Sequence, residues 1–331
     1  MNSDRPTVAF TRRPLNVVSG VPIFAASDSY IRNYDAIARD HLATLDKDGI
    51  NPFMNEHEWT ELEETTASHM RQLLRPGDRV LDAGVGLGRL LARFPDQERY
   101  GVDIALGYLD RTKQCGIHVA LAKLEDLPYP NAAFDLVVAT DVLEHVLDLH
   151  RASQQLVRIL KPGGHLVIRV PFEEDLKSYY HYRDYELVHV RRFDLWSLRI
   201  QFERIYGMDY VRHETVLPKW RGLTTMRVTP MTDGEAVRNI LSQLPDDMKS
   251  VAELRHFSSL QPQDLLAFIN GVAGSHPELF SKLESLLANY LEINIVFRKP
   301  VAQSRSSFGL DCDRGADRSP LWRRIFGRPA T

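Results

Sequence analysis

The chain has 331 residues and a mass of 37.9 kDa, and its 44% hydrophobic and 26% charged content is that of an ordinary globular protein with ample material for a core. A net charge of -3 and a pI near 6.5 give no global attraction to nucleic acid, and Cys115 and Cys312 stand in no CxxC or Cys/His spacing, which argues against a disulfide framework or a structural zinc cluster. No stretch approaches the roughly 20 apolar residues of a membrane span, and MNSDRPTVAFTRRPLN at the start lacks an apolar signal core, so the expectation is a cytoplasmic protein in a reducing compartment.

Residues 1–28 are mixed and carry Pro6, Pro14 and Pro22, which predicts a flexible arm. Helical spacing of Ile31, Tyr34, Ile37, Ala38 and Leu42 predicts a first helix starting near Ser29, and a second follows over about 56–74, ended by Pro76 and Gly77. Strands and helices then alternate: strand 79–83, a helix after Gly88, strand 99–102, helix 106–115, strand 134–139, helix 149–160 and strand 164–170. That alternation predicts a parallel sheet with helices on both faces and a ligand at the carboxyl ends of the strands. After Pro171 a tyrosine-rich loop feeds an amphipathic helix and a strand, GMDYVRHETV, while the last strand, EINIVFRKP, is displaced by a segment with helical patterns near 235–244, 262–273 and 277–291. Beyond Pro300 the chain is rich in Ser, Arg, Gly and Asp without periodicity, which predicts disorder. Within that tail, SPLWRRIFGR is short, cationic and apolar; it suits weak contact with a membrane surface or a protein, against the plainer reading of a solvated tail.

The most informative segment is VLDAGVGLGRL at 80–90, a buried-strand run that breaks into Gly84-x-Gly86-x-Gly88. Glycine at these positions lets the backbone turn tightly and approach a ligand. Asp103 ends the next apolar run, where a carboxylate can accept hydrogen bonds from both hydroxyls of a ribose. Dinucleotides and S-adenosylmethionine both use such an arrangement.

Two further segments, LEDLPYPNAAFDLVVATDVLEHV at 124–146 and RILKPGGHLVIRVP at 158–171, complete a pattern. In order and spacing it resembles the class I S-adenosylmethionine-dependent methyltransferases of type 11, the subgroup that includes ubiquinone- and menaquinone-type methylases. The resemblance covers 60–216, and 292–299 completes it. It implies a Rossmann-like α/β fold, a seven-stranded, mostly parallel sheet with helices on both faces and a helical insertion before the last strand. The implied organisation is a flexible arm over 1–28, a core with N-terminal lid helices over 29–216, a helical cap on the acceptor site over 217–290, the last core strand over 291–299 and a disordered tail over 300–331. A nicotinamide dehydrogenase shares the glycine turn but leaves LEHV and LKPGG unexplained.

The implied cofactor is S-adenosyl-L-methionine, with Asp82, Gly84, Gly86 and Gly88 meeting its methionyl part, Asp103 its ribose, Leu124 and Glu125 its adenine, and Thr140 at the next strand end. One departure stands out: relatives often carry GDAExLPF, whose Asp accepts from the adenine amino group, whereas this chain reads AKLEDLPY, with Lys123 in that place. A protonated lysine cannot accept a hydrogen bond. Either the Leu124 backbone, Glu125 or Asp126 then supplies the acceptor, or the cofactor binds more weakly than in those relatives.

A hydroxyl acceptor needs a base, and His145, in VLEHV just past a strand end, has an unperturbed pKa of about 6.5 that suits one. The alternative is that His145 packs and caps a helix start. His181, within the cluster Tyr179, Tyr180, His181 and Tyr182, is a second candidate base; the tyrosines suit a ring-bearing or sugar-like acceptor, or simply cover the core. Arg191 and Arg192 bind an anionic acceptor or cap the next helix, and Tyr30 and Tyr34 are placed to close as a lid. Glu144 and His145 are also metal-ligand types, as in some related methylases, but the sequence nominates no third or fourth ligand, and no metal is assigned. The expected function is O-methylation of a small-molecule or glycan acceptor by a monomer or homodimer, without a nucleic-acid partner. The alternatives are N- or C-methylation, or a non-catalytic binding protein of methyltransferase fold.

Overall fold

A nine-stranded sheet organises the chain in the computed structural model, which describes residues 7–174, 176, 185–220, 239–246 and 262–301. A short hairpin comes first, β1 (Asn16–Val18) and β2 (Val21–Ile23), then helices α1 (Ser29–Asp48) and α2 (Glu56–Arg71). Next come β3 (Arg79–Ala83), α3 (Arg89–Ala92), β4 (Glu98–Asp103), α4 (Leu106–Gln114), β5 (His118–Leu121), β6 (Phe134–Thr140), α5 (Leu149–Ile159) and β7 (Leu160–Pro171). The last described elements are α6 (Leu195–Arg199), which continues in π-type turns over Ile200–Ile205, then β8 (Asp209–Trp220), α7 (Pro262–Ser275), α8 (Pro277–Leu287) and β9 (Ala288–Arg298).

The strand order is β1-β2-β5-β4-β3-β6-β7-β9-β8, with β5 to β7 parallel and β9 antiparallel to both β7 and β8. The chain runs outward from β3 to β5, then crosses back to lay β6 on the other side of β3. This reversal between β3 and β6 opens a crevice at their carboxyl ends, the place where open α/β sheets bind ligands.

Each central strand is buried on both faces because alternate side chains enter opposite cores. Leu81, Val137, Ile168 and Ile295 join the core under α5 and the π-turn residue Phe202, while Val80, Leu136, Val138 and Val167 pack with Ala67, Met70, Leu91 and Leu109 on the other face. Each such aliphatic side chain contributes about 1.5–3 kcal/mol on full burial. Local signals fix the helix ends: Asp28 and Asn55 accept from the third helical amides, Ile31 N and Glu58 N, at 2.9 Å each, and Gly49 closes α1 in the left-handed region.

Three expectations change. The sheet has two strands beyond the expected seven, because the described part of the supposed arm is packed: Ile23 pairs with Leu121, Thr11 N donates to Pro128 O at 2.9 Å, and Phe10 lies against Phe24 and Tyr129. Its few apolar residues have no period, so only tertiary contact reveals them. The insertion boundaries move as well: β8 extends through Trp220, which pairs with Ala288, so the intervening segment is 221–287 rather than 217–290. Finally, β7 begins at Leu160 rather than Gly164.

Candidate functional site

At the crevice between β3 and β6 lies a cavity of about 790 Å³, within the usual range of roughly 300–1,000 Å³ for ligand pockets. Its floor is the carboxyl ends of β3, β4 and β6, and its walls come from α1, α2 and residues 185–189. Asp82, Gly84, Gly86, Asp103, Leu124, Glu125, Thr140 and His145 all line it. The tertiary structure thus gathers residues that lie sixty positions apart in the chain.

The glycine turn is shaped by contact as much as by flexibility. Gly84 sits at φ +90, and a Cβ there would stand 2.8 Å from the Val142 side chain. Gly88, at φ +72, does not line the cavity; a Cβ there would meet Thr112 at 2.8 Å. Its expected contact with a ligand therefore becomes a packing role at the start of α3. Between them, Gly86 N donates to Asp103 Oδ2 at 2.9 Å, while Ala105 N donates to Oδ1 at 2.9 Å. Two backbone amides thereby hold the Asp103 carboxylate in one orientation, with lone pairs remaining for a ligand.

One wall is strongly acidic. Asp82 is 2% exposed and its Oδ1 has no hydrogen-bond partner; burial, and then the Asp103 charge, push its pKa well above the carboxylate range. Asp141, Glu144, Glu174 and Glu292 share the wall with the buried Arg169 guanidinium. Arg169 pairs with Asp141 and Glu292 at 2.5 Å each and donates to Thr66 Oγ1 at 3.1 Å. Burial works against its charge, but the two carboxylates outweigh it and hold the guanidinium protonated. The remaining carboxylates leave the cavity suited to a cationic occupant.

On the wall expected to face adenine, Lys123 is engaged elsewhere. Its ammonium pairs with Asp28 at the start of α1 and lies 5.6 Å from the Tyr30 ring. Asp126 is drawn off as well, bound to Arg12 at 2.7 Å outside the cavity. Glu125 faces the cavity and also accepts from Asp148 N at 3.4 Å. Buried Leu124 completes that wall.

His145 follows a turn in which Asp141 takes φ +51, reversing the chain after β6. Its Nδ1 lies 2.9 Å from Val188 O, so that nitrogen carries the proton and Nε2 the lone pair. Burial, and then the nearby His189, lower its pKa to about 4. The premise of an ordinary imidazole pKa therefore fails: the ring is neutral, and by itself it is a weak base for a hydroxyl at neutral pH. Tyr34 meets the ring edge-on at 5.5 Å, and Tyr30 donates to His145 O at 3.2 Å, so both lid tyrosines stand on the cavity wall.

The sequence reading missed His189, Arg169 and Glu292. The segment at 185–190 folds back so that Val190 N donates to Glu144 O at 3.0 Å, which brings His189 to 4.7 Å from His145, ring centre to ring centre. It supplies the third donor that no motif spacing nominated. Arg169 and Glu292 had a weak signal, since each is a charged residue inside an apolar strand. Arg191 does not line the cavity; it donates to Leu147 O at 3.1 Å, in the turn before α5. His181, Tyr179, Tyr180, Tyr182 and the tail from 302 onward lie outside the described residues. No described residue of 221–287 lines the cavity, whose described walls come from α1, α2 and 185–189; much of the expected cap lies outside the described residues. Among the described residues no helix is long and apolar enough to cross a membrane.

Comparison with known proteins agrees with this geometry. Residues 81–168 match the family model described as a methyltransferase domain. The ubiquinone/menaquinone biosynthesis C-methyltransferase UbiE of Vibrio campbellii is 37% identical over 107 residues, 28% of this chain and 41% of that protein. Malonyl-[acyl-carrier protein] O-methyltransferase of Serratia marcescens is 34% identical over 27% of this chain and 36% of that protein. The chain spans about two fifths of the length of the first of these curated relatives. In fold, it is similar to a putative methyltransferase complexed with the Trm112 activator from Haloferax volcanii, with TM-score 0.51, 16% identity and coverage of 84% of this chain and 100% of that one. It is equally similar to the [4+2]-cyclase SpnF, with TM-score 0.51, 18% identity and coverage of 88% and 100%.

Proposed function

We propose that this chain, whose residues 81–168 belong to the methyltransferase domain family, transfers a methyl group from S-adenosylmethionine to an oxygen of a small-molecule or glycan acceptor, releasing S-adenosylhomocysteine. The observation that carries the reading is the Asp82 carboxylate: a buried oxygen without a partner, in an acidic cavity beside the glycine turn, calls for a cationic donor. The amino group of S-adenosylmethionine supplies one, and a nicotinamide dinucleotide has no such ammonium.

The chain's own residues bind, orient and exclude water. Asp82, Gly84 and Gly86 hold the amino-acid end, and Asp103, already aligned by the Gly86 and Ala105 amides, accepts from the ribose hydroxyls. Leu124 and Glu125 flank the base, and Thr140 marks the strand end below the acceptor side. The cofactor brings a methyl group on an activated sulfonium, so the protein's contribution is mainly positioning, which can supply several kcal/mol. Tyr30 and Tyr34 close one side against water. An oxygen acceptor is favoured because Glu144, His145 and His189 lie together on the cavity wall, where they can hydrogen-bond a hydroxyl; His145 alone is a weak base, so the hydroxyl proton has to leave through the group as a whole. A carbon acceptor, as for the C-methyltransferases among its relatives, is the alternative.

Calorimetric titration tests the reading. Micromolar binding of S-adenosylmethionine and S-adenosylhomocysteine, none of NAD, and at least about a tenfold loss in Asp103→Ala are expected, as for removing a charge-assisted hydrogen bond. Labelled methyl should then appear on hydroxylated acceptors. Absence of cofactor binding rejects the proposal; binding without transfer to any acceptor favours a protein that uses this fold for other ends, as the likeness to a cyclase allows.

A further inference from the structure

On the wall opposite the glycine turn, one donor atom from each of Glu144, His145 and His189 lies within 4.8 Å of the others. Glu144 is fully buried, and neither of its carboxylate oxygens has a hydrogen-bond partner. His145 Nε2 stands 3.6 Å from Glu144 Oε1, and the hydrogen bond of its Nδ1 to Val188 O leaves the lone pair on Nε2. His189 is held from behind by Glu174, whose Oε2 is 2.7 Å from Nδ1. Each of these contacts has a direct counterpart in the chemistry of metal binding.

We propose that Glu144, His145 and His189 form a binding site for a divalent transition-metal ion, with Glu174 as the carboxylate that orients His189. Ligand atoms about 2.1 Å from an ion stand roughly 3 to 3.5 Å apart, so the Glu144 and His145 pair is close to ligating distance and the third donor needs a shift of about 1 Å. Two imidazoles with one carboxylate select borderline ions such as zinc, cobalt or iron(II) over magnesium or calcium, which prefer all-oxygen shells. The Glu174 to His189 contact matches the carboxylate–histidine pairing that fixes the ring orientation of ligating histidines. The surroundings favour a cation too, since Asp141, Glu174 and Glu292 line the same cavity as Glu144. A cofactor sulfonium would also be drawn to this wall, but sulfur in that state does not coordinate an imidazole nitrogen.

The site lines the same cavity as Asp82, Asp103 and Thr140. An ion held there leaves coordination positions open toward the cavity, which suits an acceptor that presents a hydroxyl or carboxylate oxygen. This acceptor class rests on the methyl-transfer reading; the ion site itself does not.

The test uses the full chain after chelator treatment. Titration with Co²⁺ should give a visible absorption band that saturates at one equivalent, is displaced by Zn²⁺ and is abolished by chelation. Glu174→Gln should weaken Co²⁺ binding about 10- to 100-fold, and Glu144→Gln and His189→Ala by more, since they remove ligands. S-adenosylmethionine titrated into the same metal-free preparations reports the fold and the cofactor site independently. Stoichiometric Co²⁺ binding that the variants lose, with cofactor binding retained, supports the site. Cobalt binding without cofactor binding also supports it and overturns the methyltransferase reading instead. Absence of stoichiometric binding, or equal affinity in Glu144→Gln and His189→Ala, overturns the metal site while leaving the cofactor reading to stand on its own titration.

Discussion

The ammonium of Lys123 is ion-paired with Asp28, the residue whose side chain also caps the first turn of α1. Lys123 thereby ties the start of α1 to the end of β5 on the cavity wall. A carboxylate in its place would face Asp28 and repel it.

Asp28 has two jobs and Lys123 one, so their variants should differ. Asp28→Ala loses a helix cap, at a cost of about 0.5–2 kcal/mol, together with a partly exposed ion pair. Lys123→Met loses only the pair, about 0–1 kcal/mol. Urea denaturation should show the larger loss for Asp28→Ala, and cofactor affinity in Lys123→Met should stay within about threefold of the parent, less than 1.4 kcal/mol. Equal destabilisation would show that the cap contributes nothing.

Gly84→Ala should destabilise the protein by two separable effects. An alanine at φ +90 costs about 1–3 kcal/mol in backbone strain, and its Cβ would meet Val142 at 2.8 Å. Combining it with Val142→Ala relieves the collision and leaves the strain. Chemical denaturation of the two single variants and the double variant should therefore show a favourable coupling that restores part of the loss. Strict additivity would mean that the Val142 contact yields without cost.

The raised pKa of Asp82 predicts a pH dependence with a definite sign. Burial, with the Asp103 charge, favours the protonated carboxyl in the folded protein. Its contribution to the stability of the free protein is therefore full below the ordinary value of about 3.9 and is lost as pH rises through the raised value. A bound ammonium offsets that loss, so the thermal shift produced by S-adenosylmethionine should grow as pH rises through the same range. Asp82→Asn should be more stable than the parent near neutral pH, bind the cofactor about 10- to 100-fold less tightly, corresponding to 1.5–3 kcal/mol, and lose this pH response. A parent-like pH response in Asp82→Asn would assign the titration to another group.

The parallel core and its cofactor side were legible because their signals are local. VLDA followed by Gly84-x-Gly86 declares a strand that ends in a tight turn, and β3 is found at Arg79–Ala83 as predicted. Asp103 and Thr140 were placed correctly at cavity-lining strand ends because strand ends converge in any parallel sheet. The hairpin at Asn16–Ile23 was not legible: a three-residue strand carries no period, and its partner β5 lies about a hundred residues away.

The same division runs through the chemistry. Residue order alone determined the α/β core, the glycine turn and the carboxylates that face it, since each follows from hydrophobic periodicity and from steric rules acting over a few residues. Only the tertiary structure decided that Lys123 pairs with Asp28 at the start of α1, that Gly88 packs rather than lines the cavity, and that His145 is half-buried with a lowered pKa. It alone brought His189 beside Glu144, forty-five positions earlier in the chain, because hydrogen bonds from the returning segment 185–190 close that loop. Burial and long-range contact set the charge state and the partners of these side chains, and neither is written in the spacing of neighbouring residues.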